Sequence, residues 1–470
     1  MKLIVACKYL ACMAVMAVIL MTACSKKDVT PVIEPEKKDT TNTGTGGTTT
    51  PKQPAYIIDS TIEIQELPKA ETEQSRMGSQ FPQSDYTPVG FYLPAGATVK
   101  INVQPIYGSR LPKLLIGTYS RGYTTDDPFW QKSPHLTNVQ LMAGENSITN
   151  PSGVDALLYL RYNDDAANSK SRISFQSGMR PVPFFKKGKT TRQQWLAMLD
   201  SLNDAPDVQL LGEKVIIVTS LANARKYKSE DQQQLLTLAD SVVIMENEIN
   251  GFDGNDALDQ PGSHRYLLVQ HANLDYYFYA FHYRTAYASG SIDNILVPNK
   301  IRTNGWGVYH EIGHMYQQTW KWGALGEVTN NIYSLYVQRK LGGASRLLQD
   351  NQWGKAATYL ALHDSVRNFN DDAKIGVFVR LCMFRQLELA FGDAYEVAFH
   401  KQYRKDKPGI SFSGDASKMK YFMLTACMVS GKNLSDFFKK WGMPVSSSVY
   451  TEIAALGLPA PNTDITLLKE

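Results

Sequence analysis

The stretch that decides the fold is GWGVYHEIGHMYQQTWKWGALGEVTNN, from Gly305 to Asn331. It places His310, Glu311 and His314 within about one helical turn, and Glu327 follows further along the chain. Residues i and i+4 share a face of an α-helix, so two imidazoles can point at one metal ion while the glutamate between them reaches a nearby water. Neutral imidazoles suit Zn²⁺. The stretch therefore predicts a helix that carries part of a zinc site.

The pattern around the two histidines supports a buried helix. Val308, Ile312, Met315 and Thr319 follow one another at helical spacing and form an apolar stripe. Gly313 lowers helix propensity by up to ~1 kcal/mol relative to alanine, a cost that is understandable if another backbone or a substrate must approach closely. The alternative is a helix with incidental histidines.

Glu327 is the predicted third metal ligand, because a catalytic zinc usually takes three protein ligands and leaves one position for water. Glycines at 323 and 326 predict a turn, and EVTNNIYSLYVQRKLGG predicts a second helix that begins at Glu327. Asn331 lies one turn further on, where it could fix the orientation of a histidine. The alternatives are a surface carboxylate for Glu327 and a plain helix amide for Asn331.

This arrangement predicts hydrolysis of a peptide bond. Glu311 would act as the general base that takes a proton from water and later passes it to the leaving amine. An additional donor for the oxyanion is required, but the sequence does not place it. The histidines, tyrosines and arginine of residues 270–287, together with His400 and Tyr403, are better explained as packing or hydrogen-bonding residues.

The whole-chain composition indicates a globular protein of several domains. The chain has 470 residues, of which 43% are hydrophobic, and its formal charge is +4. Without Lys2 and Lys8 that charge falls to +2, which argues against binding to nucleic acid through a basic face.

The N-terminus predicts a lipid-anchored exported protein. Residues 1–23 have the basic start, apolar run and small-residue end of a signal peptide, and Cys24 follows directly. This order resembles that of bacterial lipoproteins, in which the cysteine is lipidated; the alternative is an ordinary cleaved signal. Residues 24–55, rich in threonine, glycine, proline and charge, predict a flexible tether.

The rest of the chain predicts an α+β multidomain fold. Short alternating strands over residues 56–180 favour a β-sandwich, and residues 181–345 alternate helices and strands before leading into the metal motif. Residues 346–470 are almost wholly helical in pattern. Cys382 and Cys427 lie in apolar helical segments and are predicted to be buried thiols, with a single disulfide as the alternative.

The motif resembles the enhancin-like gluzincins, peptidase family M60. The resemblance rests on GWGVYHEIGHMYQQ followed by GEVTNN, with weaker features from about residue 88 to 460. It implies a mainly helical gluzincin-type catalytic domain, Zn²⁺ as the cofactor, and His310, His314 and Glu327 as ligands beside the general base Glu311. It also implies a mucin-type O-glycosylated glycoprotein as the substrate. Aromatic residues of 270–287 could stack on sugars, although a buried aromatic element explains them equally well.

Three interpretations remain open at this point. The first is a monomeric zinc endopeptidase attached through Cys24 to the outer membrane of a Gram-negative bacterium, on its cell-surface or its periplasmic face, that cuts glycoproteins. The second is a non-catalytic glycoprotein-binding lipoprotein, against which Glu311 argues because a structural zinc site needs no general base. The third is a zinc protease that does not require glycans.

Overall fold

The computed structural model describes Tyr56 and residues 58–121, 136–272 and 276–470. The predicted signal peptide 1–23, Cys24 and the tether to residue 55 lie outside the described residues. Among the helices that the structure describes, none combines the length and apolar character needed to cross a membrane.

The N-terminal part contains two antiparallel sheets. Their strands and one helix are β1 (Thr61–Gln65), α1 (Ala70–Met77), β2 (Thr87–Leu93), β3 (Thr98–Tyr107), β4 (Lys113–Ile116), β5 (Thr137–Gln140), β6 (Gly144–Thr149), β7 (Ala156–Arg161), β8 (Lys170–Ser177) and β9 (Arg180–Pro181). The strand orders are β1-β8-β3-β6 and β5-β4-β7-β2-β9. Apolar side chains of both sheets, such as Ile101 and Leu158, belong to one buried cluster.

A mixed six-stranded sheet forms the next layer. Its strands and helices are β10 (Phe184–Lys186), α2 (Arg192–Ser201), β11 (Asp207–Leu211), β12 (Val215–Ser220), α3 (Leu221–Lys226), α4 (Gln232–Asn250), β13 (Tyr266–His271), β14 (Phe278–Phe281) and β15 (Arg284–Ala288). The order is β10-β11-β12-β13-β15-β14, so β14 is an edge strand. The β12 and β13 strands are buried over most of their length, which explains their continuous apolar sequences.

The remaining chain is helical, in agreement with the sequence. The helices are α5 (Pro298–Asn304), α6 (Trp306–Tyr316), α7 (Asn330–Lys340), α8 (Arg346–Gln349), α9 (Gln352–Leu360), α10 (Val377–Phe391), α11 (Asp393–Asp406), α12 (Asp415–Ser430), α13 (Ser435–Lys440) and α14 (Ser447–Ala455). Helix α6 packs against the sheet side of the molecule, whereas α7 lies between that side and the C-terminal helices. The protein is thus of the α+β class.

The C-terminal helices enclose a second apolar core. Trp320 stacks on Phe422 with ring centroids 5.5 Å apart, and Trp441 is fully buried. Cys382 and Cys427 are both buried free thiols, so the prediction of buried thiols is confirmed and the disulfide alternative is wrong. Burial raises the pKa of the Cys382 thiol to about 12.

Candidate metal centre

Helix α6 brings the two motif histidines together. Their ring centroids lie 4.7 Å apart, and the rings are nearly perpendicular. Val308, Ile312 and Met315 are buried on the packed side of the helix. The helix ends at Tyr316 because Gln317 has an extended backbone with ψ of 130°, so the predicted continuation of the apolar stripe to Thr319 is wrong.

Glu327 closes the group from the turn that precedes α7. Its Oε2 lies 3.0 Å from His310 Nε2 and 3.3 Å from His314 Nε2. Helix α7 begins at Asn330, three residues later than predicted, so Glu327 is not a helical residue. Within the part of the chain that the structure describes, only these three residues form a His/Cys/Asp/Glu group compact enough to hold a metal ion.

The two segments approach closely at Gly313. A β-carbon at this position would lie 2.5 Å from the carbonyl oxygen of Asn330, a distance that real β-carbons do not show. The helix thus accepts glycine because the neighbouring backbone occupies the space of a side chain. This close approach brings the start of α7 and the Glu327 turn against the histidines.

Amide side chains orient both imidazole rings. His310 Nδ1 lies 2.8 Å from Asn331 Oδ1, and His314 Nδ1 lies 2.8 Å from Gln317 Oε1. An amide oxygen holds a proton on the ring nitrogen it faces, which leaves the lone pair on Nε2. Asn331 also donates to the Glu327 backbone carbonyl over 2.7 Å, so one amide contacts two members of the group.

Gln317 was not singled out by the sequence analysis. It follows His314 by three residues, and side chains at this spacing are neighbours on a helix. Its contact with His314, however, depends on the end of the helix at Tyr316. Its amide nitrogen donates to the Gly326 carbonyl and to Thr329 Oγ1, each over 2.8 Å. Gln317 therefore also ties the end of α6 to the turn that carries Glu327.

Asn330 provides a further polar contact. Its Nδ2 lies 3.0 Å from His314 Nε2 and donates to the lone pair that a metal would use. Its Oδ1 is buried and has no hydrogen-bond partner among the described residues. A bound metal would replace the hydrogen bond from Asn330 to His314.

The electrostatics of the group favour a cation. Burial opposes protonation of His310, but the carboxylates of Glu327 and Glu311 outweigh it and raise the His310 pKa to about 9. Burial likewise opposes ionisation of Glu327, yet the adjacent imidazoles lower the pKa of this carboxyl well below its ordinary value. Glu327 is therefore an anion, and its charge favours a cation at the point where its Oε2 and the two Nε2 atoms converge.

Glu311 lies beside this group and does not belong to it. Its side chain is 3% exposed, and its Oε2 has no hydrogen-bond partner among the described residues. Burial raises the pKa of Glu311, against the opposing effect of the two histidines. A buried carboxylate with a free oxygen and a raised pKa is suited to accept and return a proton.

The other titratable candidates lie in packed surroundings. His400 is 1% exposed; its Nε2 accepts a hydrogen bond from Tyr333 and its Nδ1 donates to the Glu396 carbonyl. Tyr403 is fully buried and bonds to Thr319. In the 270–287 segment, Tyr279 and Tyr287 are buried in β14 and β15. A packing role fits these residues better than sugar stacking.

Two family sequence models match the chain. The model described as peptidase M60, enhancin and enhancin-like, matches residues 178–442, and that of the N-terminal domain of M60-like peptidases matches residues 68–176. The first match spans more than half of the chain and includes the whole metal group.

Individual proteins are also similar to the chain. TRPM8 channel-associated factor 3 of Rattus norvegicus is 24% identical over 79% of this chain, which spans only 40% of that relative's length. A functionally unknown conserved protein from Bacillus anthracis has a crystal structure similar at a TM-score of 0.75, with 30% identity over 87% of this chain and 81% of its own. The M60 catalytic domain of ZmpC from Clostridium perfringens, solved with the sialyl T antigen, has a TM-score of 0.74 at 18% identity, with 87% and 82% coverage.

Proposed function

Because the chain belongs to the peptidase M60, enhancin and enhancin-like, family, we propose that it is a zinc-dependent endopeptidase that cuts O-glycosylated, mucin-type extracellular glycoproteins. The observation that carries this proposal is the pairing of two features. One is three convergent metal-ligating side chains; the other is the buried carboxylate of Glu311 beside them, whose Oε2 has no hydrogen-bond partner among the described residues. A site that served only to stabilise the fold would need the first feature but not the second.

The side chains of His310, His314 and Glu327 fit a zinc ion. They are two imidazoles and one carboxylate, the number and type of ligands found in catalytic zinc sites. A bound zinc ion would polarise the scissile carbonyl and make water more acidic. Asn331 and Gln317 hold the rings with Nε2 towards Glu327, so the protein arranges the ligands before the metal binds.

Glu311 would move the proton. With its raised pKa, the carboxylate can take a proton at its unpartnered Oε2 from the attacking water. It can then return that proton to the nitrogen of the leaving amine. Because Glu311 is 3% exposed, bulk water has little access to the carboxylate that carries the proton.

A surface about one helical turn from His310 is our candidate for sugar recognition. Trp306 precedes His310 by one helical turn and is half-buried. Its ring lies 5.9 Å from that of Phe378, and the Arg346 guanidinium carbon lies 4.9 Å and 4.7 Å from the two ring centroids. Together with Tyr309, Trp306 and Arg346 line a cleft of about 290 Å³. Aromatic faces and a guanidinium are groups that pack against sugar rings and donate to their hydroxyls.

The location and organisation of the protein are part of the proposal. Lipidation at Cys24 would attach the mature chain to the outer membrane of a Gram-negative bacterium, with the segment to residue 55 as its tether. The domains would be a β-sandwich at 56–180, a catalytic α/β region at 181–345 and a helical C-terminal part at 346–470. The protein would act as a monomer.

The test is to map cleavage products by mass spectrometry on a panel of O-glycoproteins, each before and after enzymatic removal of its glycans. We expect cuts adjacent to glycosylated serine or threonine that disappear when the glycans are removed. Equal cutting of the bare protein would indicate a protease without a glycan requirement. Binding of the glycoprotein without any cutting would indicate a non-catalytic protein and would overturn the proposal.

A further inference from the structure

The N-terminal domain contacts the catalytic sheet through the tip of the β14–β15 hairpin. We propose that this domain is a positioning element of the peptidase: it fixes edge strand β14, and β14 in turn supports the metal-binding helix α6. The inference rests on the proposed function for its catalytic consequence, whereas its mechanical part stands on contacts of the described residues alone. We call the contacting residues Glu71, Phe81, Ser84, Tyr86, Tyr119 and Ser120 the socket.

The hairpin has a two-residue tip with an unusual backbone. Phe281 pairs with Arg284, which leaves His282 and Tyr283 as the connecting residues. Tyr283 has a φ of 61°, in the left-handed region that bulky residues rarely adopt. Asparagine and glycine suit such a position better, so the presence of tyrosine indicates that its side chain contributes something that offsets the backbone cost.

That side chain stacks in the socket. The Tyr283 ring lies 5.7 Å from the Tyr119 ring at 27°, and Tyr119 stacks in turn on Tyr86 at 5.5 Å and 7°. Ser84 Oγ donates to the Tyr283 backbone carbonyl, and the Tyr283 hydroxyl donates to the Glu71 carboxylate. The tip is therefore held by its ring, its hydroxyl and its backbone at once.

A second set of contacts holds the strands behind the tip. Ser120 Oγ lies 2.7 Å from the Tyr279 hydroxyl in β14 and also accepts from Arg284 Nε in β15. The Arg284 guanidinium carbon lies 5.5 Å from the Tyr119 ring centroid. Tyr279, Arg284 and Ser120 are all buried, so these polar contacts are shielded from water and correspondingly strong.

Strand β14 passes this constraint to the metal helix. A β-carbon at Gly307 of α6 would lie 2.9 Å from Phe278 Cε2, so the β14 ring rests directly on the helix backbone. Gly307 precedes His310 by three residues, about one turn. In the sheet order β14 is the edge strand and pairs with β15, and both the socket and α6 contact it as well. Release of the tip would let β14 move and α6 lose the surface against which it is aligned.

The decisive experiment replaces Tyr283 by asparagine in the full chain. Tyr283→Asn keeps a residue that tolerates the left-handed turn but removes the ring and the hydroxyl. The matched control is Tyr107→Asn, which removes a half-exposed tyrosine from strand β3 of the same domain, away from the hairpin. The readouts are amide hydrogen exchange of β14, zinc retention against a chelator, and kcat and KM on a glycoprotein that the wild type cuts.

In Tyr283→Asn we expect hydrogen exchange of the β14 amides to accelerate at least about tenfold. We also expect kcat to fall about tenfold or more with little change in KM, because small displacements of catalytic groups have effects of this size. Tyr107→Asn should leave both unchanged. If Tyr283→Asn does not fold, Ser120→Ala, which removes only the contacts to Tyr279 and Arg284, provides the same exchange measurement. Unchanged exchange in β14 would overturn the positioning role. A wild type that cuts nothing would overturn the proposed function instead and leave the exchange result valid.

Discussion

The Asn330 carbonyl oxygen lies 2.5 Å from the point where Gly313 would carry a β-carbon. The contact joins the helix that bears both histidines to the start of the segment that follows Glu327. Helix α6 and the start of α7 are thus held together by a close contact between their backbones. The distances within the metal group depend on this contact. Gly313 is therefore a position of the site at which a larger residue is expected to disturb the metal group.

Gly313→Ala should therefore destabilise the protein and weaken metal binding, although alanine is the better helix former. Overpacking of a tight contact usually costs about 1–3 kcal/mol, which exceeds the gain of up to ~1 kcal/mol in helix propensity. The measurement is the free energy of unfolding with and without zinc.

The matched control for that substitution is Gly354→Ala. Gly354 is exposed in helix α9, and the three atoms nearest to a β-carbon there would all belong to the Asn351 side chain, which can move. We expect the control to be neutral or slightly stabilising. Equal stability of the two variants would show that the approach at Gly313 does not constrain the helices.

Asn331→Ala should lower zinc affinity without removing a ligand. Loss of the amide frees His310 to rotate and to change its protonated nitrogen, and such partners typically contribute 10–100-fold to metal affinity. Competition with a chromogenic chelator measures the effect. Asn331→Asp keeps an oxygen that accepts from His310 and should recover most of the affinity, so a failure of Asp to improve on Ala would contradict the orienting role.

The sequence predicted the site where the relationships are local. His310 and His314 share a helix face by spacing alone, and the glycines at 323 and 326 indicated the turn. Helix boundaries were less accurate, because α7 begins at Asn330 and Glu327 lies in the turn ahead of it. Asn331 still contacts His310 as predicted, although Glu327 itself lies outside the helix.

Features that depend on long-range packing could not be predicted. Gln317 faces His314 only because α6 ends at Tyr316, and nothing in the local pattern specifies that end. The contact of Ser120 with Tyr279 joins residues 159 positions apart, on which periodicity carries no information.

Glu311→Gln should retain zinc and lose hydrolysis. The amide has the same shape but cannot accept a proton, so kcat/KM should fall by at least about 10²-fold, the lower range for loss of a general base. Metal analysis and cleavage assays on the same preparation test both halves. The control for loss of a negative charge is Glu248→Gln, which replaces an exposed glutamate of α4. Full activity of Glu311→Gln would remove this residue from the mechanism.

His400 should make the protein less stable in acid. The imidazole is buried between Tyr333 and the Glu396 carbonyl, and burial lowers its pKa from 6.5 to about 3. Below pH 6.5 His400 therefore binds a proton in the unfolded chain but not in the folded chain. Because of His400, the free energy of unfolding should fall by up to ~1.4 kcal/mol per pH unit between pH 6.5 and 3. The stabilisation that comes from the neutral imidazole is fully present only above pH 6.5.

Urea unfolding at pH 7.5, 6.5, 5.5 and 4.5, performed in EDTA so that metal loss does not contribute, measures this dependence. His400→Gln can still accept a hydrogen bond from Tyr333 but cannot titrate. We expect the variant to be the less stable protein at pH 7.5 and the gap to the wild type to shrink as the pH falls, because only the wild type binds a proton on unfolding. Parallel curves for the two proteins would show that His400 is protonated in the folded state or accessible to water.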